Sequence, residues 1–300
     1  MNLTICYITH RRFNCIQWFL DSVGREMESD GDVRIVVVDY YADERKGELP
    51  EYVLHVEPKP SVWQGKHRLT TRDYFAAANA RNTGLCLAPD GWIAYVDDLS
   101  VMLPGWLKCV RQAMAENYMV FGAYRKVLGL EVRNGVVTSF LDHPLGHDAR
   151  WPHGSDEAAV PHGPGALFGC SLAMPVEHLL RINGWNETCD GMGYEDAACG
   201  MQLNKVGLTG RYDRRMMTYE SEEMHYVEPP FIRVDKKIVG KPGIPDASHA
   251  MLAQIAAGDG TSPNGYDIAE LRRRVLSGEP FPIPTGPETH WPDGEYLSLM

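Results

Sequence analysis

Five acidic residues stand where the chain could do chemistry. Asp39 closes the β-rich run Val33–Val38, Asp97 and Asp98 close Trp92–Val96, and Glu195 and Asp196 open a helix-like stretch behind Gly193-Tyr194. A carboxylate at the carboxyl end of a buried strand lies on the rim where open sheets bind ligands. There it accepts hydrogen bonds from a ribose or base, or holds a divalent cation. Turn and cap roles use the same residue types, and for Asp39 the two readings balance evenly. For Asp97-Asp98 the functional reading leads, because adjacent carboxylates repel unless a cation or a donor compensates. Glu195-Asp196 alone is ordinary helix N-terminal charge; beside the other two sites it points to a general base.

The elements that must position these residues follow from patterning. Leu3–Thr9 and Val33–Val38 are near-continuous apolar runs, the pattern of parallel strands covered on both faces. Asn14 suits the cap of a helix whose stripe is Ile16, Phe19, Leu20 and Val23. Tyr52–Val56 reads as a strand, and Thr70 with Asp73 has capping-box spacing before an Ala-rich helix ending near Leu87. Trp92–Val96 is a strand, Pro104 suits the first turn of a helix to Asn117, and Met119–Tyr124 is a further strand. Alternation across Lys126–Phe140 about Asn134-Gly135 predicts a hairpin. His143–Pro164 reads as a long loop and Ala166–Met174 as a strand. Pro175–Asn183 and Glu195–Val206 read as helices closed by Gly184 and Gly207. The class is α/β: an open, mainly parallel twisted sheet flanked by helices. Beyond Tyr226 lie ten of the 20 prolines and one helix, about Asp267–Leu276, so residues 227–300 read as a Pro-rich C-terminal appendage packed on the main domain. Residues 1–110 and 111–226 form the two halves of that domain.

Composition excludes several function classes. Over 300 residues, 29 Lys and Arg face 40 Asp and Glu, a formal net charge of -11, which disfavours a whole-surface grip on nucleic acid or anionic lipid. Seven dispersed cysteines without a CxxC pair predict reduced thiols and a cytoplasmic location. A strand begins at Leu3, so no signal peptide is expected, and no apolar run approaches the roughly 18 residues of a membrane span. His143, His147, His153 and His162 invite a zinc reading, but Pro144 and Gly146 break the helix that would align the first two, and solvated loop histidines fit better. Gly163-Pro164-Gly165 and Gly169-Cys170-Ser171 read equally as a close-approach site for sugar or phosphate and as strand punctuation. Cys170 has no evident His partner for nucleophilic chemistry. Among Trp63, Trp151 and Trp185, the last is the best candidate to stack on a sugar, with core packing equally open. Lys236-Lys237 and Arg272–Arg274 read as solvated faces, or as a means of steering a phosphate-rich acceptor.

Four segments in order resemble the inverting family-2 glycosyltransferases, which have the GT-A fold. LTICYITHRR resembles their first strand and its turn, and Ile35–Asp39 their nucleotide-contacting strand end. Ala77–Leu107 (AANARNTGLCLAPDGWIAYVDDLSVMLPGWL) matches their longest signature, and Asn183–Gly207 (NGWNETCDGMGYEDAACGMQLNKVG) their acceptor-side signature. Together these span Leu3 to Tyr226. The resemblance implies that Thr9 and Asp39 contact the nucleoside and that Arg81 approaches the base or diphosphate. It places Asp97 and Asp98 on the metal-binding Asp-x-Asp element, with His225 as a late metal ligand for Mn2+ or Mg2+. Asp196 falls on the catalytic base, with Glu195, Gly193, Tyr194 and Trp185 on the acceptor side. Residues 1–110 then become the nucleotide-sugar-binding half and 111–226 the acceptor-binding, catalytic half.

The implied reaction is metal-assisted transfer of a sugar from a nucleotide-sugar donor, UDP by family tendency, to an acceptor hydroxyl with inversion. A cation would neutralise the charge that develops on the departing diphosphate. A carboxylate across the sugar would take the hydroxyl proton. The acceptor stays open among saccharide, protein, small molecule and modified nucleic acid. The chain departs from the family pattern at Leu99, where an acidic residue is usual, and at Asn183-Gly184, where Gly-Gly is usual. With Leu99, Asp97 or Asp98 would bind a metal alone with His225 and water. Two other readings stand. A nucleotidyltransferase is disfavoured by the lack of a Gly-rich phosphate loop with Lys after the first strand. A degenerate nucleotide- or sugar-binding module is favoured by Leu99 and opposed by the joint presence of Asp97, Asp98, Glu195, Asp196 and His225.

Overall fold

The strands that carry the rim carboxylates lie side by side in the computed structural model, which describes residues 2–27, 33–60, 76–190, 194–226, 253, 255 and 257–282. They are β1 (Leu3–Thr9), β2 (Val33–Asp39) and β4 (Trp92–Asp97), with β3 (Val53–Val56) outside β2. Parallel register pairs Thr9 with Asp39 and Ile8 with Asp97, so the acidic strand ends reach the same edge of the sheet. The remaining strands are β5 (Ser100–Met102), β6 (Met119–Arg133), β7 (Val136–His147), β8 (Val160–His162), β9 (Ser171–Pro175) and β10 (Gly210–Ser221). The sheet order is β3-β2-β1-β4-β9-β6-β10-β5, with β7 on β6 and β8 on β10.

Successive residues of β1 point to opposite faces, and both faces are covered. Cys6 and Ile8 join Val36, Val38 and Tyr95 under α2 (Ala77–Leu87). Leu3, Ile5 and Tyr7 join Val37, Phe19 and Trp106 under α1 (Ile16–Met27) and α3 (Trp106–Glu116). Burial on both sides is why β1 and β2 lack a polar alternation. Asn14 Oδ1 accepts the Ile16 N–H at 3.1 Å, a cap worth about 1 kcal/mol. On the opposite face, α2 is buried along nearly its whole length. Gly84 permits this, because a Cβ there would overlap the Cys6 Sγ on β1. The helices α4 (Val176–Arg181) and α5 (Glu195–Lys205) follow β9.

The C-terminal helix α6 (Ile268–Leu276) packs on α2 through Ile268 and Leu271. Asp267 caps it, accepting the Ala269 and Glu270 N–H groups at 2.8 and 3.2 Å. Arg272 donates to the Ala88 carbonyl at 2.9 Å and to Asp90 at 2.7 Å, so it tethers this segment. Arg273 and Arg274 pair with Glu270 and Glu279.

Some expectations change in detail. The run of parallel strands covers β3-β2-β1-β4 and recurs between β6 and β10, while β9 lies antiparallel between β4 and β6. It does so because the chain re-enters the sheet at the rim, where Ser171 pairs with Val96. The expected strand and hairpin over 119–140 are one long ribbon, β6 and β7, turning at Asn134 (φ 50°) and Gly135 (φ 70°). The expected long loop His143–Pro164 contains the end of β7, a 3-10 turn at Trp151–His153 and β8. Thr70, Asp73, Trp63, Lys236 and Lys237 lie outside the described residues.

Candidate active site

Each rim carboxylate carries an arginine. Asp39 is fully buried; it accepts the Tyr41 N–H at 2.9 Å, Arg45 Nη1 at 2.5 Å and His55 Nε2 at 3.0 Å. Arg45 also donates to the carbonyls of Arg11 and Arg12, at 2.6 and 2.5 Å. Asp97 receives Arg81 Nη2 at 2.8 and 3.1 Å on its two oxygens. Asp98 Oδ2 accepts Thr9 Oγ1 at 3.0 Å and Arg11 Nε at 3.1 Å. The two adjacent carboxylates are thus compensated by donors, one of the two remedies their repulsion demands.

Arg81 joins the rim to the helix expected to hold the base. Its Nη1 donates to Glu195 Oε1 at 2.9 Å while Nη2 holds Asp97. The side chain is 2% exposed, against 29% for Asp97, so the guanidinium is a floor and Asp97 faces the opening. Trp185 stacks beneath it, ring centroid 4.6 Å from the guanidinium carbon, and Gly169 leaves room for it, since a Cβ there would overlap Nη2. Gly169, read equally as a close-approach site for sugar or phosphate and as strand punctuation, makes its close approach to Arg81.

Glu195 and Asp196 form the first turn of α5, behind Tyr194 in the left-handed region at φ 71°. Asp196 Oδ1 accepts the Ala197 N–H at 2.8 Å. Burial, then the neighbouring Glu195 charge, raises the Asp196 carboxyl to about 6, with Arg81 opposing. A carboxylate that titrates near neutrality suits proton abstraction from a hydroxyl. Gly193 lies outside the described residues.

Other sequence candidates are placed differently. Trp185 is fully buried, with one face against Arg81 and its ring edge-on to Tyr95 at 5.4 Å, so it has no face for a sugar. Its backbone binds Asn82 at both N–H and carbonyl, which makes it a support for Arg81 on α2. Trp151 stacks with His147 at 3.7 Å and carries Arg214 at 4.5 Å. Burial raises the Cys170 thiol well above its ordinary value, which makes it a poor nucleophile.

The expected metal set of Asp97, Asp98 and His225 does not fit a cation. His225 Nδ1 faces Arg11 Nη2 at 3.0 Å, and that guanidinium stands between His225 and Asp98. Because Arg11 can only donate, Nδ1 must accept, and the ring proton resides on Nε2, which has no protein acceptor among the described residues. Asp97 is committed to Arg81, and Leu99 offers no donor; it is buried at φ 61°. No group of three His, Cys, Asp or Glu side chains among the described residues is arranged to hold a metal.

Sequence reasoning passed over three residues of this site. Arg11 meets Asp98 over 87 residues, a gap no pattern reveals, and Arg45 lies six residues past Asp39 in a turn whose charges gave no signal. Glu220, on β10, is raised to about 8 by burial, with Lys126 opposing and Asp97 and Asp98 adding to the rise.

No family model and no curated protein sequence matches the chain. Among solved structures it is similar to GalNAc-T7 with UDP, GalNAc and Mn2+, at 12% identity and a TM-score of 0.52, over 94% of this chain and 58% of that one. The chain thus spans little more than half of the GalNAc-T7 chain. It also aligns with S. aureus TarS 1-349 in complex with UDP, at 13% identity and a TM-score of 0.47, over 86% of this chain and 70% of that one. At such identities a likeness concerns architecture, and that architecture is the one expected from the four sequence segments: the chain has a GT-A-type fold.

Proposed function

We propose that the protein transfers a sugar from a nucleotide-sugar donor, a UDP-sugar, to an acceptor hydroxyl with inversion at the anomeric carbon. The observation that carries this reading is the Glu195–Arg81–Asp97 bridge, which fixes the start of α5 beside the strand rim. The UDP and GalNAc of the GalNAc-T7 structure, whose fold is similar, support the donor class. In this reading residues 1–110 bind the donor, with the nucleoside beyond Thr9 and Asp39, and residues 111–226 hold the acceptor near Tyr194. The acceptor oxygen forms a bond to the anomeric carbon as the bond to the diphosphate oxygen breaks. The electron pair leaves with the diphosphate, and the hydroxyl proton passes to Asp196. The expected divalent cation has no residue set among the described residues to hold it, and no step depends on it. The seven cysteines, all buried and unpaired, fit a reducing, cytoplasmic compartment. No helix among the described residues is long and apolar enough to cross a membrane.

The test is UDP release and product configuration with a panel of UDP-sugars. Asp196→Asn is expected to lower kcat by about 10²-fold or more while donor binding persists. Full turnover in that variant sinks the base assignment, and a product with retained configuration sinks inversion. A second reading, a binding module without turnover, draws on Asp39 and Asp98 being satisfied by the protein's own arginines. Donor binding with no release of UDP would favour it, and release of pyrophosphate would point to nucleotidyl transfer.

A further inference from the structure

We propose that the Arg11 guanidinium is the permanent cation of this site, so that turnover needs no divalent metal. The inference rests on the transfer reading above and names what meets the leaving diphosphate. Arg11 lies two residues beyond the end of β1, at the rim, with Asp97 and Asp98 at the end of the neighbouring β4. Its Nε donates to Asp98 at 3.1 Å and its Nη2 to His225 Nδ1 at 3.0 Å. Those are two of the three side chains the family pattern assigns to a metal, and a metal bridging Asp98 Oδ2 and His225 Nδ1 would have to take the guanidinium's place.

The arginine is fixed from its backbone as well. Its N–H donates to Thr9 Oγ1 at 3.2 Å, Thr9 Oγ1 donates in turn to the same Asp98 oxygen at 3.0 Å, and Arg45 holds its carbonyl at 2.6 Å. The side chain is 11% exposed, so it is largely dehydrated yet reachable. Its Nη1 makes no hydrogen bond to the described residues, which leaves N–H donors for a ligand. A guanidinium stays protonated at any working pH and presents a planar fork that matches two phosphate oxygens. Held rigidly in a partly water-excluded site, such a donor stabilises developing oxyanion charge without reorganising. The reaction's balance is unchanged: the electron pair of the broken bond resides on the diphosphate oxygen, which accepts hydrogen bonds from Arg11.

The experiment measures UDP release by the full chain with chelator or with Mn2+, and Mn2+ binding by titration without any sugar. Wild-type turnover is expected to be equal in chelator and in Mn2+, and wild-type protein is expected to bind no Mn2+ at Asp98 and His225. Arg11→Ala is expected to lose about 10²-fold or more in chelator. Having vacated Asp98 and His225, it is expected to gain Mn2+ binding that a second change, His225→Ala, removes. Arg11→Lys is expected to keep the charge but recover only part of the rate. Wild-type turnover that is abolished by chelator and restored by Mn2+ would overturn the proposal. So would wild-type Mn2+ binding lost in His225→Ala. Both are read on wild-type or a neighbouring variant, so an unstable Arg11→Ala does not shield the idea. Absence of UDP release from every donor strikes the transfer reading instead, and the sugar-free Mn2+ titration still decides for or against Arg11.

Discussion

Asp196 and Arg81 set the testable chemistry at the scale of single residues. In the proposed role as base, an Asp196 carboxyl raised to about 6 must be ionised to act, so kcat is expected to rise with pH through about 6 and to level off above it. A pH–kcat profile of the wild type shows this limb, and Asp196→Asn should lack it. The stability effect has the opposite sense. A carboxyl raised above its unfolded value of 3.8 binds its proton more tightly when folded, so the folded state is penalised as pH rises from about 4 through 6. Thermal melts are therefore expected to show Asp196→Asn gaining on wild type above pH 6 and matching it below pH 4. Arg81 is a different case, because it is buried between two carboxylates. Arg81→Met leaves Asp97 and Glu195 without their cation and is expected to cost about 3–5 kcal/mol in urea unfolding. A loss under 1 kcal/mol would mean that the bridge does not hold α5 to the rim.

The elements were legible where their signals are local. Strand β1 lies where its β-rich, largely apolar seven-residue run predicted, and α6 starts after its Asp267 cap. Gly184 and Gly207 both adopt positive φ just past α4 and α5. What escaped was long-range. Strand β10, which contains RYDRRMM, reads as polar: Arg215 pairs with Asp213 beside it, but Arg211 and Arg214 find Glu116 and Asp156 only in the fold. The Arg11 contacts span 87 and 214 residues, so the sequence displays Asp98 and His225 but not the cation between them. Trp185 was legible as an important aromatic but not as a buried one, since its burial depends on Arg81 and Tyr95 arriving from other elements. At this scale Gly84 sets the height of α2 over β1. Gly84→Val is expected to lift the helix, destabilise by about 1–3 kcal/mol and displace Arg81, lowering turnover beyond the stability loss. Activity preserved at a temperature where the variant is folded would refute that coupling.

The whole molecule is a GT-A-type sheet whose last described helix closes the outer face of α2. Asn264 Nδ2 donates to the carbonyls of Asn183 and Trp185 at 2.8 and 3.0 Å, and its Oδ1 accepts the Glu187 N–H at 2.9 Å. Ending the chain after Tyr226 would remove these partners and uncover the apolar footprint of Ile268 and Leu271. Such a truncation is expected to lower the melting temperature and reduce soluble yield, because buried carbonyls lose their donors. A truncated chain that melts with the full-length protein would show that residues beyond 226 contribute nothing to the main fold. The proposed transfer belongs to the whole sheet, with one edge to bind the nucleotide sugar and α5 to supply the base. The measurement that tests it most directly is UDP release from a panel of UDP-sugars by wild type and Asp196→Asn side by side. Release from at least one donor is expected of the wild type, reduced about 10²-fold or more in the variant with donor binding intact. Equal release by both proteins, or none from any donor, would contradict it.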